Sequence, residues 1–262
     1  MSDKKKSSTN FIQSVDRALQ ILECFSDGEK ELGVTEISRM LSLHKSTAFG
    51  LLATLENRGY MEQNPSSGKY RLGMKLFELG ARVQNSMDIA AIAKPYLEDI
   101  VKKYNETVHL VANDKGQAVY IDKVEGSTSM RMYSQLGKRP PMYCTGVGKS
   151  ILAFMPQEYI DEYLLNGDFK KMASNTITDA DGIRKELEKV RAQGYSIDDE
   201  EIEDGLRCVA APILDHKGDV AGALSIAGPA SRMTKARMKE LALLIREAAR
   251  QISNKLGCKN FI

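Results

Sequence analysis

The chain has little cysteine. Four residues, at positions 24, 144, 208 and 258 of 262, form neither a CxxC pair nor the dense spacing of a secreted disulfide framework, so they read as free thiols. It also lacks any apolar stretch near the roughly 18 residues of a membrane span. The first ten residues, MSDKKKSSTN, carry no apolar signal-peptide block, which together predicts a cytoplasmic protein with no membrane partner. Histidine is scarce, at 44, 109 and 216 only, and none lies beside a cysteine in sequence, which works against thiol catalysis and against a metal site of short ligand spacing. Excess charge is nearly absent: the net +2 sits entirely in residues 1–75, with 11 Lys and Arg against 9 Asp and Glu. So small an excess does not identify a nucleic-acid partner, and the motifs must decide. With 42% hydrophobic and 27% charged residues, disorder and collagen are excluded, and the length fits two modest domains, each with its own core.

What is present begins with three short helices. Ser14 can cap a helix to about Phe25, with Val15, Ala18, Leu19 and Leu22 on one face. Thr35 can cap a second helix through Leu41, and the turn Ser42 to Lys45 leads into a third, where Ala48, Leu51, Leu52 and Leu55 share a face until Gly59. A tight turn between the second and third helices is the requirement of a helix-turn-helix, because the third must project into the major groove while its rear packs on the others. At about 100° per residue, Ser46, Gly50 and Ala53 lie opposite the apolar stripe, with Thr47 and Phe49 on its flanks. Tyr60–Gln63 and Lys69–Leu72 then bracket the turn Asn-Pro-Ser-Ser-Gly, predicting a hairpin wing that offers Lys69 and Arg71 to DNA.

The runs SVDRALQILECFSD, GVTEISRMLSLHKSTAFGLLATLENRGYMEQ and GKYRLGMKLFELG resemble the winged-helix head of the IclR family of bacterial transcription regulators, and the likeness continues to the C-terminus. That resemblance implies DNA contacts for Lys45, Ser46, Thr47 and Phe49, where LHKST opens the recognition helix, and Thr35 at the start of the second helix joins the contact set. The position after Phe49, often Arg in relatives, is Gly50, so an operator sequence cannot be carried over.

The expected fold class is α+β. Residues 1–10 form a polar tail, 11–73 a winged helix-turn-helix, 74–87 a linker helix, and 88–262 a domain for effector binding and oligomerisation that the resemblance implies is GAF-like. On the linker helix, Leu76, Phe77, Leu79 and Val83 exceed what a small head can bury, which points either to a partner subunit or to the chain's own second domain. A two-fold reader of a pseudo-palindromic operator in double-stranded DNA is expected to be a homodimer or a dimer of dimers. Beyond the linker, helices are predicted at Asp88–Ala93 and Pro95–Tyr104, then at 148–154, 157–165 and 182–193, and finally from Thr234 to Gly257. Strands are predicted at Val108–Ala112, Ala118–Val124, Met130–Ser134, Val209–Leu214 and Val220–Ala227, and short turns at 113–116 and 215–218 favour a mainly antiparallel sheet.

The segment YCTGVGKSIL carries the GKS tail of a P-loop, but Tyr143 stands where the first P-loop glycine belongs. Two readings of Gly146, Val147 and Gly148 stay open: a helix start that favours an anion, or a glycine turn that lets the helix approach the sheet. The acidic run Asp198 to Asp204 lacks calcium-loop spacing, and Cys208 in an apolar strand reads by default as a buried thiol. The family resemblance implies more: backbone contacts to an effector from Gly146 and Val147, polar contacts from Asp198, Cys208 and Ser225, and apolar walls from Met132 and Leu206. Ala227 stands where the resemblance implies that glyoxylate-binding relatives carry a second serine, which argues against the smallest two-carbon ligand and for one that is larger or differently anchored. The run from Glu106 to Ala153 is especially similar to the branch that senses 2-keto-3-deoxygluconate, an intermediate of pectin and hexuronate breakdown. For such a sugar acid, Arg131 and His109 join Ser225 and Asp198 as candidates, although Arg131 can equally be a surface residue and His109 a core histidine. The expectation is a repressor with no cofactor and no metal. The rival class is a small-molecule enzyme using Cys208 or Cys144 as nucleophile and Asp198 as acid or base.

Overall fold

The computed structural model describes residues 12–25, 31–85, 88–127 and 134–261, which divide between two compact units, Met1–Gln84 and Asn85–Ile262. In the first, the apolar spacing produces α1 (Gln13–Glu23), α2 (Val34–Met40) and α3 (Lys45–Asn57), followed by the hairpin β1 (Met61–Gln63) and β2 (Tyr70–Leu72) and by α4 (Met74–Asn85). Ile21, Ile37, Ala48, Leu52 and Leu55 close the head core, and Met61 and Tyr70 pin the hairpin to it. Two caps differ from expectation. Ile12 stands at the N-cap of α1 in place of Ser14, and α2 starts at Gly33, whose N–H donates to Glu36 Oε2 at 2.6 Å, leaving Thr35 inside the helix and exposed. On α1 the packed residue is Ile21, with Ala18 and Leu22 half-buried, while Val15 and Leu19 face outward. The expected apolar face is thus only partly the packing face.

The second unit contains α5 (Asp88–Tyr104), β3 (Thr107–Asp114), β4 (Gln117–Val124), α6 (Gly146–Leu152), α7 (Gln157–Asn166), α8 (Ala180–Gln193), β5 (Ser196–Asp199), β6 (Leu206–Leu214), β7 (Val220–Pro229) and α9 (Lys235–Lys255). One helix, α5, replaces the two expected on either side of Pro95. The buried stripe of Ile89, Ala93, Leu97, Ile100 and Val101 runs unbroken past the proline, and this packing outweighs the hydrogen bond that its missing N–H forfeits. The short strand β5 escaped the sequence reading because Ser196, Asp198 and Asp199 give it no apolar run. Of the strand expected at Met130–Ser134, residues 130–133 lie outside the described residues, and Ser134 is not in a strand.

The five strands run antiparallel in the order β4-β3-β7-β6-β5, and the period of two gives the sheet two unlike faces. Val108, Leu110, Val209, Ala211, Ile213, Leu224 and Ile226 point to one side, where α5 and the apolar stripe of α9 (Met238, Leu241, Ile245, Ala249, Ile252) cover them. Val111, Cys208, Ala210, Ala223 and Ala227 point to the other, under α6, α7 and α8. The long α9 is capped by Thr234, whose Oγ1 accepts from Arg237 N–H at 3.3 Å, and is followed by Gly257 at a φ of +91°.

Candidate functional site

In the head, the turn before α3 is closed by the Leu43 N–H, which donates to Ser38 O at 2.8 Å, and Ser42 adopts a left-handed φ of 52° to allow it. Lys45, Ser46, Thr47, Phe49, Gly50 and Ala53 are all exposed on α3, opposite buried Ala48, Leu52 and Leu55. No side chain caps the α3 N-terminus, so its first amides and the Ser46 and Thr47 hydroxyls are available to a phosphate. Phe49 is 56% exposed, an apolar group that no described residue of the head covers. On the wing, Lys69 lies 3.4 Å from Glu36, and Arg71 pairs at 2.9 Å with Glu62, its directly opposite residue across the hairpin. Both wing cations are therefore already paired with a carboxylate, while their exposed side chains keep further N–H donors for a phosphate.

In the second unit the sheet registers two polar rows on its α6 side. Asp198, Cys208 and Ala227 lie side by side on β5, β6 and β7, and one step along the strands Ser196, Ala210, Ser225 and His109 form the next row. Where these rows meet the start of α6, small side chains leave a cavity of about 170 Å³. His109, Asp198, Cys208, Ser225 and Ala227 face it from the sheet with Tyr120, and Thr145, Gly146 and Val147 face it from the helix start. Ile202, Glu203 and Leu206 come from the β5–β6 connection, and Ser134, Lys138, Arg139, Pro140 and Pro141 from the segment before α6. The glycine question resolves into a steric requirement: a Cβ on Gly146 would meet Cys208 Sγ at 2.8 Å, and one on Gly148 would meet Met142 Cα at 2.5 Å. Thr145 Oγ1 accepts from Gly148 N–H at 3.2 Å and donates to Pro141 O at 2.6 Å, fixing the helix start against that segment.

Burial works against charge on the floor of this cavity. His109, 3% exposed, shares a 2.8 Å hydrogen bond between its Nε2 and Ser134 Oγ, and burial together with the nearby Lys123 ammonium lowers its pKa to about 3. Burial therefore favours the neutral ring, which can donate or accept a hydrogen bond. Asp198, 2% exposed, is pushed up to about 7 by burial, even though its Oδ1 accepts from Glu201 N–H at 2.8 Å. The Cys208 thiol and the Tyr120 phenol are raised for the same reason. Formal cations stand at the other wall: Lys138, and Arg139, which donates to Gln117 Oε1 at 3.2 Å and pairs with Asp114.

Two family models match the chain: the IclR helix-turn-helix domain over residues 14–65, and the bacterial transcriptional regulator IclR C-terminal over residues 81–254. The chain belongs to the IclR family. Among relatives, it is 39% identical to the HTH-type transcriptional regulator XynR of Escherichia coli K12 over 94% of this chain and 98% of that one. To KdgR of the same organism it is 37% identical over 95% of each. The crystal structure of the Thermotoga maritima IclR matches with a TM-score of 0.78 at 38% identity, over 94% of this chain and all of that one. The chain is thus a transcriptional regulator with a DNA-binding head and not an enzyme. The rival thiol chemistry finds no support, since burial raises the Cys208 pKa and pushes Cys144 up to about 12.

Of the effector positions implied by the IclR resemblance, Gly146, Val147, Asp198, Leu206, Cys208 and Ser225 line one cavity, as does His109. Met132 and Arg131 lie outside the described residues. Sequence reasoning missed Lys138, Arg139 and the two prolines, although KRPPM directly precedes the glycine motif and could have been read as a stiff segment carrying two cations to it. It also missed Tyr120, whose position depends on strand pairing, and Ser134, which lies outside any strand. Among the described residues no cluster of His, Cys, Asp and Glu is arranged to hold a metal, and no helix is long and apolar enough to cross a membrane.

Proposed function

We propose that this chain is a repressor of carbohydrate catabolism genes, of the hexuronate and pectin kind, whose grip on DNA is set by a small sugar acid or 2-oxo acid such as 2-keto-3-deoxygluconate. The observation that carries the reading is the cavity beside Asp198, Cys208 and Ser225. At about 170 Å³ it falls below the roughly 300–1,000 Å³ of sites for drug-sized ligands, and so suits a small metabolite. Its wall carries two cations for a carboxylate, Lys138 and Arg139, the latter also paired with Asp114, while His109, Ser134, Ser225 and Asp198 offer donors and acceptors to hydroxyl or oxo groups. Ala227, in the row of Cys208, presents a methyl where a hydroxyl would grip a two-carbon acid, which favours a longer ligand. The similarity of the 106–153 run to the 2-keto-3-deoxygluconate branch supports the same choice.

On the DNA side, Thr35, Lys45, Ser46, Thr47 and Phe49 present the reading surface and Lys69 and Arg71 the wing, acting in the cytoplasm on a pseudo-palindromic operator in double-stranded DNA. Exposed Ile12, Val15 and Leu19 on the first helix, and Met74, Phe77 and Val83 on the linker helix, favour a homodimer or a dimer of dimers, since such apolar surface is costly to leave in water. Repression is relieved if the acid binds the DNA-incompetent arrangement more tightly than the competent one.

The test is thermal stability of the full chain against a panel of 2-oxo and sugar acids. A ligand at about 100 times its Kd stabilises the folded state by ~2.7 kcal/mol, or roughly 5–10 °C for a domain of this size. A shift confined to 2-keto-3-deoxygluconate identifies effector and pathway class together. No shift across the panel withdraws the sugar-acid assignment and leaves the DNA-binding reading standing.

A further inference from the structure

The GKS tripeptide, whose resemblance to a phosphate loop fails on spacing, has another use in this fold. Lys149, on α6, is fully buried, which a lysine almost never is without partners. Its Nζ donates to Ile197 O on β5 at 2.5 Å, pairs with the Glu201 carboxylate in the β5–β6 connection, and stands 3.6 Å from Glu186 on α8. Ser150 shares a 2.8 Å hydrogen bond with Ser196, which in turn donates to Gly146 O at 2.6 Å. These contacts join α6 to β5 along a buried polar seam directly behind the cavity wall, and the Glu201 N–H leads out of the seam to Asp198 Oδ1 at 2.8 Å.

Stability alone does not account for this arrangement. Removing two charges from water is expensive, and apolar residues of similar volume usually replace a buried ion pair without loss. The pair is also incompletely satisfied, because Glu201 Oε2 is buried without a hydrogen-bond partner. What it does accomplish is geometric. Gly146 and Val147 at one end of the seam and Asp198, Ile202 and Glu203 at the other belong to separate segments that must meet across one small cavity.

We propose that Lys149 and Glu201 are positioning residues for the effector cavity: the buried pair holds the 197–203 segment, and with it the Asp198 carboxyl, in register with the start of α6. The proposal rests on the reading of that cavity as the effector site, and one of its readouts is independent of any ligand. The single variant Lys149→Met strands Glu201 without its cation, while Glu186 keeps Lys189 at 3.4 Å, and it can fail to fold, so the decisive protein is the full chain carrying Lys149→Met together with Glu201→Leu, which removes both charges of the buried pair and leaves the Glu201 N–H in place.

Hydrogen exchange followed by mass spectrometry compares it with wild type. The expected result is a melting temperature equal to or above wild type, exchange of the 197–203 amides faster by about tenfold or more, and unchanged protection of β3 and β7. The 2-keto-3-deoxygluconate affinity, read by thermal shift, falls with it. Unaltered exchange at 197–203 overturns the proposal, and so does faster exchange across the whole sheet, which makes the pair a general stabiliser. If wild type ignores 2-keto-3-deoxygluconate and every other acid of the panel, the effector reading fails by itself and the exchange comparison still decides whether the pair positions the segment.

Discussion

Replacing Asp198 by asparagine should stabilise the protein in a pH-dependent way. The Asp198 carboxyl moves from its ordinary 3.8 to about 7 in the folded chain because it is buried in the cavity wall. The folded state then holds this proton more tightly than the unfolded state, so the stability it contributes is fully present below pH 3.8, declines as pH rises toward 7, and is flat above. At 1.36 kcal/mol per unit the whole interval is worth ~4 kcal/mol, of which about 2.5 kcal/mol falls between pH 5 and pH 8. In Asp198→Asn the amide oxygen can still accept the Glu201 N–H but cannot ionise. The variant should therefore gain roughly 2.5 kcal/mol on wild type between pH 5 and pH 8, whatever its offset at pH 5. Urea unfolding of both full-length proteins, followed by far-ultraviolet circular dichroism at several pH values, measures the difference while other titrations cancel. A gap that stays constant to within about 0.5 kcal/mol across that window means the carboxyl titrates normally, and the picture of an uncharged cavity floor is wrong.

Three further substitutions probe the two units. Lys69→Ala and Arg71→Ala should each weaken binding to all DNA sequences alike and reduce the slope of log affinity against log salt by about 1. Because Glu36 and Glu62 already pair with them, slopes measured on the free protein's own terms are the critical observation, and unchanged slopes remove the wing from the interface. Gly146→Ala should cost about 1–3 kcal/mol in a melting experiment, since the new methyl would meet Cys208 Sγ at 2.8 Å and Ala210 Cβ at 3.3 Å. Wild-type stability in that variant would show that α6 can lift off the sheet freely.

The head was legible because its helices carry their packing faces locally: the stripe of Ala48, Leu52 and Leu55 on α3 predicts both the buried rear and the exposed Ser46, Thr47 and Phe49. The α1 face was misread because Val15 and Leu19 satisfy helical periodicity yet face away from Ile37 and Leu52, the core that Ile21 joins. Strands with apolar runs, such as 206–214 and 220–229, announced themselves, whereas β5 is polar and short and exists through its pairing with β6. The positions the family likeness marked, such as Asp198, Cys208 and Ser225, came from matching residues. That Lys138 and Arg139 share a cavity with them is a long-range fact of chain path, and periodicity has no access to it. Lys149 was overlooked for a different reason: nothing in GKSIL distinguishes a solvated lysine from one sealed beneath a helix, until the carboxylate of Glu201, 52 positions later, is placed beside it.

The division of the central sheet into two faces separates two kinds of evolutionary freedom. On β6, Val209, Ala211 and Ile213 anchor α9, while Cys208 and Ala210 alternate with them on the opposite side. On β7, Leu224 and Ile226 alternate in the same way with Ser225 and Ala227. A change at an inward-facing Ser, Cys or Ala alters the wall of the chamber, and the neighbouring residue that packs under α9 goes untouched. Under the proposed effector reading, ligand preference would be adjustable by single side chains along strands whose opposite face packs the core, so the same scaffold could take a different metabolite without being rebuilt.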